Sequence, residues 1–78
     1  MSINSKYLGD AIAQARKKAG FTQEELAALV KIDSRNFQKY EAGALMPRYA
    51  TLFKIAEATD TSALELLKPM WEDWKKGR

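Results

Sequence analysis

Gly20-Phe21-Thr22-Gln23-Glu24-Glu25-Leu26-Ala27 is the stretch that decides the fold. Thr22 and Glu25 stand at the spacing of a capping box. The Thr22 hydroxyl can accept from the Glu25 amide while the Glu25 carboxylate reaches back to the Thr22 amide, so two amides at a helix start are satisfied at once. Phe21, just ahead of the cap, is placed to staple onto Leu26. Gly20 supplies the left-handed position that closes a preceding helix. Eight residues therefore end one helix and begin another. The new helix runs on through Val30 and buries Leu26, Ala27 and Val30.

Working outward, a first helix is predicted over about Lys6 to Lys18. Leu8, Ile12, Ala15 and Ala19 share one face, and Arg16, Lys17 and Lys18 sit at the negative end of the helix dipole. After a turn at Lys31-Ile32, Asp33 caps a third helix, about Ser34 to Ala42, with Phe37 and Tyr40 inward, Glu41 beside them and Gly43 at its end. Pro47 lies in a loop. A fourth helix spans about Tyr49 to Ala58 with Leu52, Ile55 and Ala56 inward. Ser62-Ala63-Leu64-Glu65 forms a second capping box, opening a short fifth helix that carries Leu64 and Leu67. Pro69 is expected to break it, leaving Met70–Arg78 as a separate short helix or a frayed tail. No stretch alternates with a period of two. The expectation is an all-α chain with one domain over residues 1–68 and a C-terminal extension over 69–78.

Composition bounds the function. The chain has 78 residues, 46% hydrophobic and 29% charged, so one small core is all it can build. It has neither Cys nor His, which removes disulfides, thiol nucleophiles, imidazole bases and Cys/His zinc sites. Catalysis is not expected, nor is a metal or other cofactor. Met1–Tyr7 is polar, and no apolar run approaches the roughly 20 residues of a membrane helix. A soluble, cytoplasmic protein that acts by binding is the expectation. Thirteen Lys and Arg against ten Asp and Glu give a net charge of +3, which permits a nucleic-acid partner.

The third helix sharpens this. With Phe37 and Tyr40 inward, a rotation of about 100° per residue turns Arg35 and Lys39 away from the core. Ser34 lies at the exposed N-terminal end, and Asn36 and Gln38 flank. Every outward side chain donates hydrogen bonds and none is acidic. That set can read base edges in a major groove: Arg bidentate to guanine, Asn or Gln to adenine, Ser to either. A merely solvated helix face has a similar composition.

Taken together, Leu8-Gly9, Ile12, Arg16, Gly20 to Ala27, Ile32, Phe37, Tyr40-Glu41, Gly43, Pro47, Leu52 and Ile55-Ala56 resemble the Cro/phage-repressor (Xre-type) helix-turn-helix family from about Leu8 to Leu67. The resemblance implies a five-helix, lambda-repressor-like DNA-binding domain. Its second and third helices form the helix-turn-helix, and the third enters the major groove. Carried over, the base-reading positions are Ser34, Arg35 and Lys39, with Asn36 and Gln38 as neighbours. The phosphate contacts are Thr22 and Gln23 at the start of the second helix, and Arg48 and Tyr49 after the third. Arg16 and Glu41 match a pair that the family buries. The alternative for Arg16 is a phosphate contact. The resemblance further implies a homodimer on a palindromic operator, with half-sites about 34 Å apart.

The sequence departs from the family's pattern in three places. Lys31 stands where the turn usually has Gly, and must either adopt positive φ or alter the turn. Arg48 replaces a small polar cap. Thr59 and Thr61 replace apolar residues, leaving the corner between the fourth and fifth helices less well packed. Leu64, Leu67, Trp71 and Trp74 recur at spacings of three and four. Either the tryptophans cover the domain's own core or the four form a dimer surface. Lys75, Lys76 and Arg78 make a small basic end, able to touch phosphates or simply to solubilise. A dimeric repressor is the leading reading. An antitoxin-type module with a toxin partner and a restriction–modification controller-type activator touching polymerase are the rivals.

Overall fold

The computed structural model describes residues 3–77. Arg78 of the basic end, and Met1 and Ser2, lie outside the described residues. Five helices follow in order: α1 Ser5–Lys18, α2 Gln23–Leu29, α3 Ser34–Ala42, α4 Tyr49–Ala58 and α5 Ala63–Lys76. Among the described residues there is no strand.

The starts follow side-chain chemistry. Asn4 accepts from the Lys6 amide at 3.0 Å, beginning α1 one residue earlier than the sequence reading. Thr22 and Glu25 form the reciprocal capping box, at 3.1 and 2.8 Å. Asp33 accepts from the Arg35 amide at 2.8 Å, and Ser62 from the Glu65 amide at 3.1 Å. Arg48 caps α4 with no side-chain hydrogen bond, as expected of a residue with no acceptor.

The ends share one device. After α1, α2, α3 and α4 the chain turns through a left-handed residue: Gly20, Lys31, Gly43 and Asp60. In the α2 turn the Lys31 amide donates to the Ala28 carbonyl at 3.2 Å, and the Ile32 amide to Ala27 at 2.8 Å. In the α4 turn Asp60 donates to Glu57 at 3.2 Å and Thr61 to Ala56 at 2.9 Å. These bonds satisfy carbonyls that a helix end otherwise leaves open. Lys31 does adopt positive φ, 59°, so the turn keeps its geometry and the lysine carries the strain.

The core is Leu8 and Ile12 of α1, Leu26 and Ala27 of α2, Val30, Phe37 of α3, Leu52, Ile55 and Ala56 of α4, and Leu66 and Met70 of α5. One expectation is corrected at α5. Pro69 does not break the helix, which runs unbroken to Lys76, so residues 69–76 are its second half. Proline at this position removes one backbone donor, but Met70 immediately after it is buried in the core and holds the helix on course. The inward residues are Leu66 and Met70, whereas Leu64 is 80% exposed. The α4–α5 corner is also corrected in part. Thr59 is buried, and its hydroxyl donates to the Ile55 carbonyl at 2.7 Å, so its polarity is met within α4. Beside it an open groove of about 500 Å³ lies between Phe21, Lys18 and Thr61.

Candidate nucleic-acid interface

Helix α3 has two faces of opposite character. Phe37 is fully buried and Glu41 is 7% exposed, with Tyr40 half-buried between the faces. Arg35, Asn36, Gln38 and Lys39 are exposed and Ser34 is half-buried. The only carboxylate at the N-terminal end, Asp33, is committed to the Arg35 and Asn36 amides. The outward surface is therefore a row of donors displayed by a helix whose inner face is fixed.

What fixes it is a buried ionic knot. Arg16 meets Glu41 in a two-pronged pair, Nε to Oε2 at 2.6 Å and Nη2 to Oε1 at 3.1 Å. The third arm of the guanidinium, Nη1, donates to the Phe21 carbonyl at 2.9 Å. Gln23 Nε2 donates to Glu41 Oε1 at 2.8 Å. The knot ties the end of α1, the start of α2 and the end of α3 together. The Glu41 hydrogen bond raises the Arg16 guanidinium above its ordinary pKa, against the opposing effect of burial. Its contribution to stability is full below the ordinary arginine range and lost only in strong alkali. No buried side-chain nitrogen or oxygen among the described residues lacks a hydrogen-bond partner.

Around this helix, Thr22 uses its oxygen to accept from Glu25. Gln23, expected to face phosphate, has its amide nitrogen turned to Glu41 in the free protein. Nothing in the sequence announced that bond, which spans 18 positions. Arg48 is exposed and Tyr49 is 76% exposed. Tyr49 also packs edge-on against the exposed Phe53, centroids 5.9 Å apart. This exposed ring pair was missed by the sequence reading, although the spacing of four between Tyr49 and Phe53 was its signal; Leu45 and Met46 are exposed as well.

On α5, Trp71 and Trp74 stack at 5.4 Å with an interplanar angle of 18°. Together with Ile3, Leu67 and Met70 they line an apolar groove of about 330 Å³. Trp71 is half exposed and Trp74 half-buried. The Lys75 ammonium lies 5.6 Å from the Trp71 ring centre. Among the described residues, no cluster of His, Cys, Asp or Glu could hold a metal and no helix is long and apolar enough to cross a membrane.

A helix-turn-helix family model matches residues 12–66, which holds α2, the Lys31 turn and α3 entire. The chain belongs to the Xre-type helix-turn-helix family. This Xre-type chain is 33% identical over 64 residues to an uncharacterized HTH-type transcriptional regulator, y4dJ, of Sinorhizobium fredii, across 82% of this chain and 83% of the relative. It is 37% identical over 60 residues to the HTH-type transcriptional regulator ImmR of Bacillus subtilis, across 77% of this chain but 47% of ImmR, so it spans about half of that relative. Among solved structures it superposes on the restriction-modification controller protein C.AhdI of Aeromonas hydrophila with a TM-score of 0.77 at 26% identity, covering 83% of this chain and 98% of C.AhdI. The clp gene regulator ClgR of C. glutamicum matches with a TM-score of 0.76 at 22% identity, over 88% of this chain and 94% of that one, and shows the shared fold.

Proposed function

We propose that this DNA-binding transcriptional regulator reads duplex DNA with the outer face of α3 and acts as a homodimeric cytoplasmic repressor. The observation that carries the reading is the carboxylate-free, hydrogen-bonding face of Ser34, Arg35, Asn36, Gln38 and Lys39, displayed opposite buried Phe37 and Glu41. Inserted into a major groove, Arg35 serves guanine and Asn36 or Gln38 serve adenine. Thr22, Gln23, Arg48 and Tyr49 flank the helix and hold phosphates, which supply affinity and a steep salt dependence. Gln23 is suited to this because Glu41 restrains its side chain before DNA arrives. The face of Leu64, Leu67, Trp71 and Trp74 joins two copies, setting the recognition helices one helical turn apart. Its support is the exposure of Leu64 and Trp71 beside an apolar groove.

The test is selection of bound duplexes from a random pool, followed by titration of Arg35→Ala on the recovered motif. The variant is expected to lose about 1–3 kcal/mol and to relax preference at one position of each half-site. Equal losses on the motif and on random DNA would remove Arg35 from the readers. The likeness to C.AhdI favours a second reading, a controller-type activator. In vitro transcription from a promoter carrying the motif separates the two: output falls with a repressor and rises with an activator.

A further inference from the structure

The recognition helix is held at its far end by the backbone of α1. Ser5 Oγ donates to the Gly43 carbonyl at 2.6 Å, and Lys6 Nζ to the Glu41 carbonyl at 3.4 Å. Gly9 is buried, and a Cβ placed on it would meet the Glu41 carbonyl oxygen and, at 2.6 Å, that of Tyr40. In return, a Cβ on Gly43 would meet the Lys6 Cα at 2.7 Å. At Gly9 the two helices thus touch backbone to backbone, with no flexible side chain at that point to absorb a displacement. Glu41 is gripped on both sides, its carboxylate by Arg16 and Gln23 and its carbonyl by Lys6.

We propose that Ser5 and Gly9 are positioning residues for DNA reading: through the Gly43, Glu41 and Tyr40 carbonyls they set how α3 presents Ser34 to Lys39 to the bases. This rests on α3 being the reading helix. Relieving the clash of a new methyl at position 9 needs a shift approaching 1 Å at the end of α3. The clashing carbonyls lie about 9–11 Å along the axis from Ser34, so a pivot at the Asp33 cap tilts the helix by roughly 5° and a rigid slide carries every reader the full distance. Hydrogen bonds to base edges work within a few tenths of an ångström of 2.9 Å, whereas salt-dependent attraction to phosphates barely responds to such a move. The signature is therefore loss of discrimination with retention of charge-driven binding.

The experiment compares wild type, Gly9→Ala, Ser5→Ala, Ser5→Thr and a core control remote from the seat, Ile55→Val. For each, the melting temperature is measured, together with affinity for the duplex selected from a random pool and for a scrambled duplex at the same salt. Gly9→Ala is expected to lower selected-duplex affinity at least tenfold and scrambled-duplex affinity less than twofold. Ser5→Ala is expected to lower the ratio about two- to fivefold, and Ser5→Thr, which keeps the hydroxyl, to restore it. Ile55→Val lowers the melting temperature without moving the ratio. A ratio unchanged in Gly9→Ala despite a lower melting temperature would reduce the seat to a stabilising contact. Should Gly9→Ala not fold, the serine pair decides, and equal ratios for Ser5→Ala and Ser5→Thr overturn the proposal. A wild-type protein that selects no motif at all overturns the reading of α3 itself, an outcome distinct from these.

Discussion

Lys31→Gly should make the protein more stable. Lys31 sits between the two helices of the motif at φ 59°, held there by its own amide on Ala28 and by the Ile32 amide on Ala27. A side chain in this region places Cβ against the backbone at a cost of about 1–2 kcal/mol. Glycine removes that cost but gives the unfolded chain more freedom, which returns about 0.5–1 kcal/mol. The difference leaves a gain of about 0.5–1 kcal/mol, and nothing is lost from packing because Lys31 is exposed. In a domain of this size that raises the melting temperature by about 2–8 °C. Thermal melting and urea denaturation, both without DNA, are the assays. Lys31→Val is the counter-variant, since a β-branched residue fits positive φ worst and should melt below wild type. A glycine variant that melts at or below the wild-type temperature would refute the claim of strain at this turn. Asp60→Gly, at φ 56°, should gain less, because Asp tolerates the left-handed region better than Lys.

Glu41→Ala removes the acceptor of three side-chain hydrogen bonds and leaves Arg16 charged and enclosed, so it should cost about 3–5 kcal/mol in chemical denaturation. Unchanged stability and DNA affinity would dismiss the knot as the support of α3. Pro69→Ala restores a backbone donor inside α5 at an exposed site and should stabilise by about 1–3 kcal/mol, read as a higher urea midpoint. No rise would mean that the α5 backbone cannot use the donor. Trp71→Ala with Trp74→Ala should weaken self-association in sedimentation. If Tyr49→Ala with Phe53→Ala dissociates the protein instead, the dimer face lies on α4.

The helix starts and stops were legible because each is written in a few adjacent residues. Thr22 with Glu25, Asp33, Gly20 and Gly43 act over one turn of chain, and local chemistry is what a sequence displays most directly. The donor face of α3 was legible for the same reason, as it follows from periodicity once Phe37 is placed inside. The errors fell where tertiary packing overrides a local rule. Pro69 reads as a breaker, yet buried Met70 and Leu66 carry α5 past it. Thr59 reads as a packing defect, but its hydroxyl returns to its own helix. The Gln23–Glu41 bond and the Gly9 contact join residues 18 and more than 30 positions apart. No window of sequence contains both partners of either.

The split character of α3 has an evolutionary consequence. Its anchoring is done by Phe37, by the Glu41 side chain and by backbone carbonyls, whereas Arg35, Asn36, Gln38 and Lys39 project into solvent. Exchanges at such surface positions usually shift stability by under about 0.5 kcal/mol. If these side chains read the bases as proposed, a lineage can rewrite its operator code one letter at a time while the scaffold beneath stays intact, and a library randomised at those four positions samples new surfaces on a chassis that still folds.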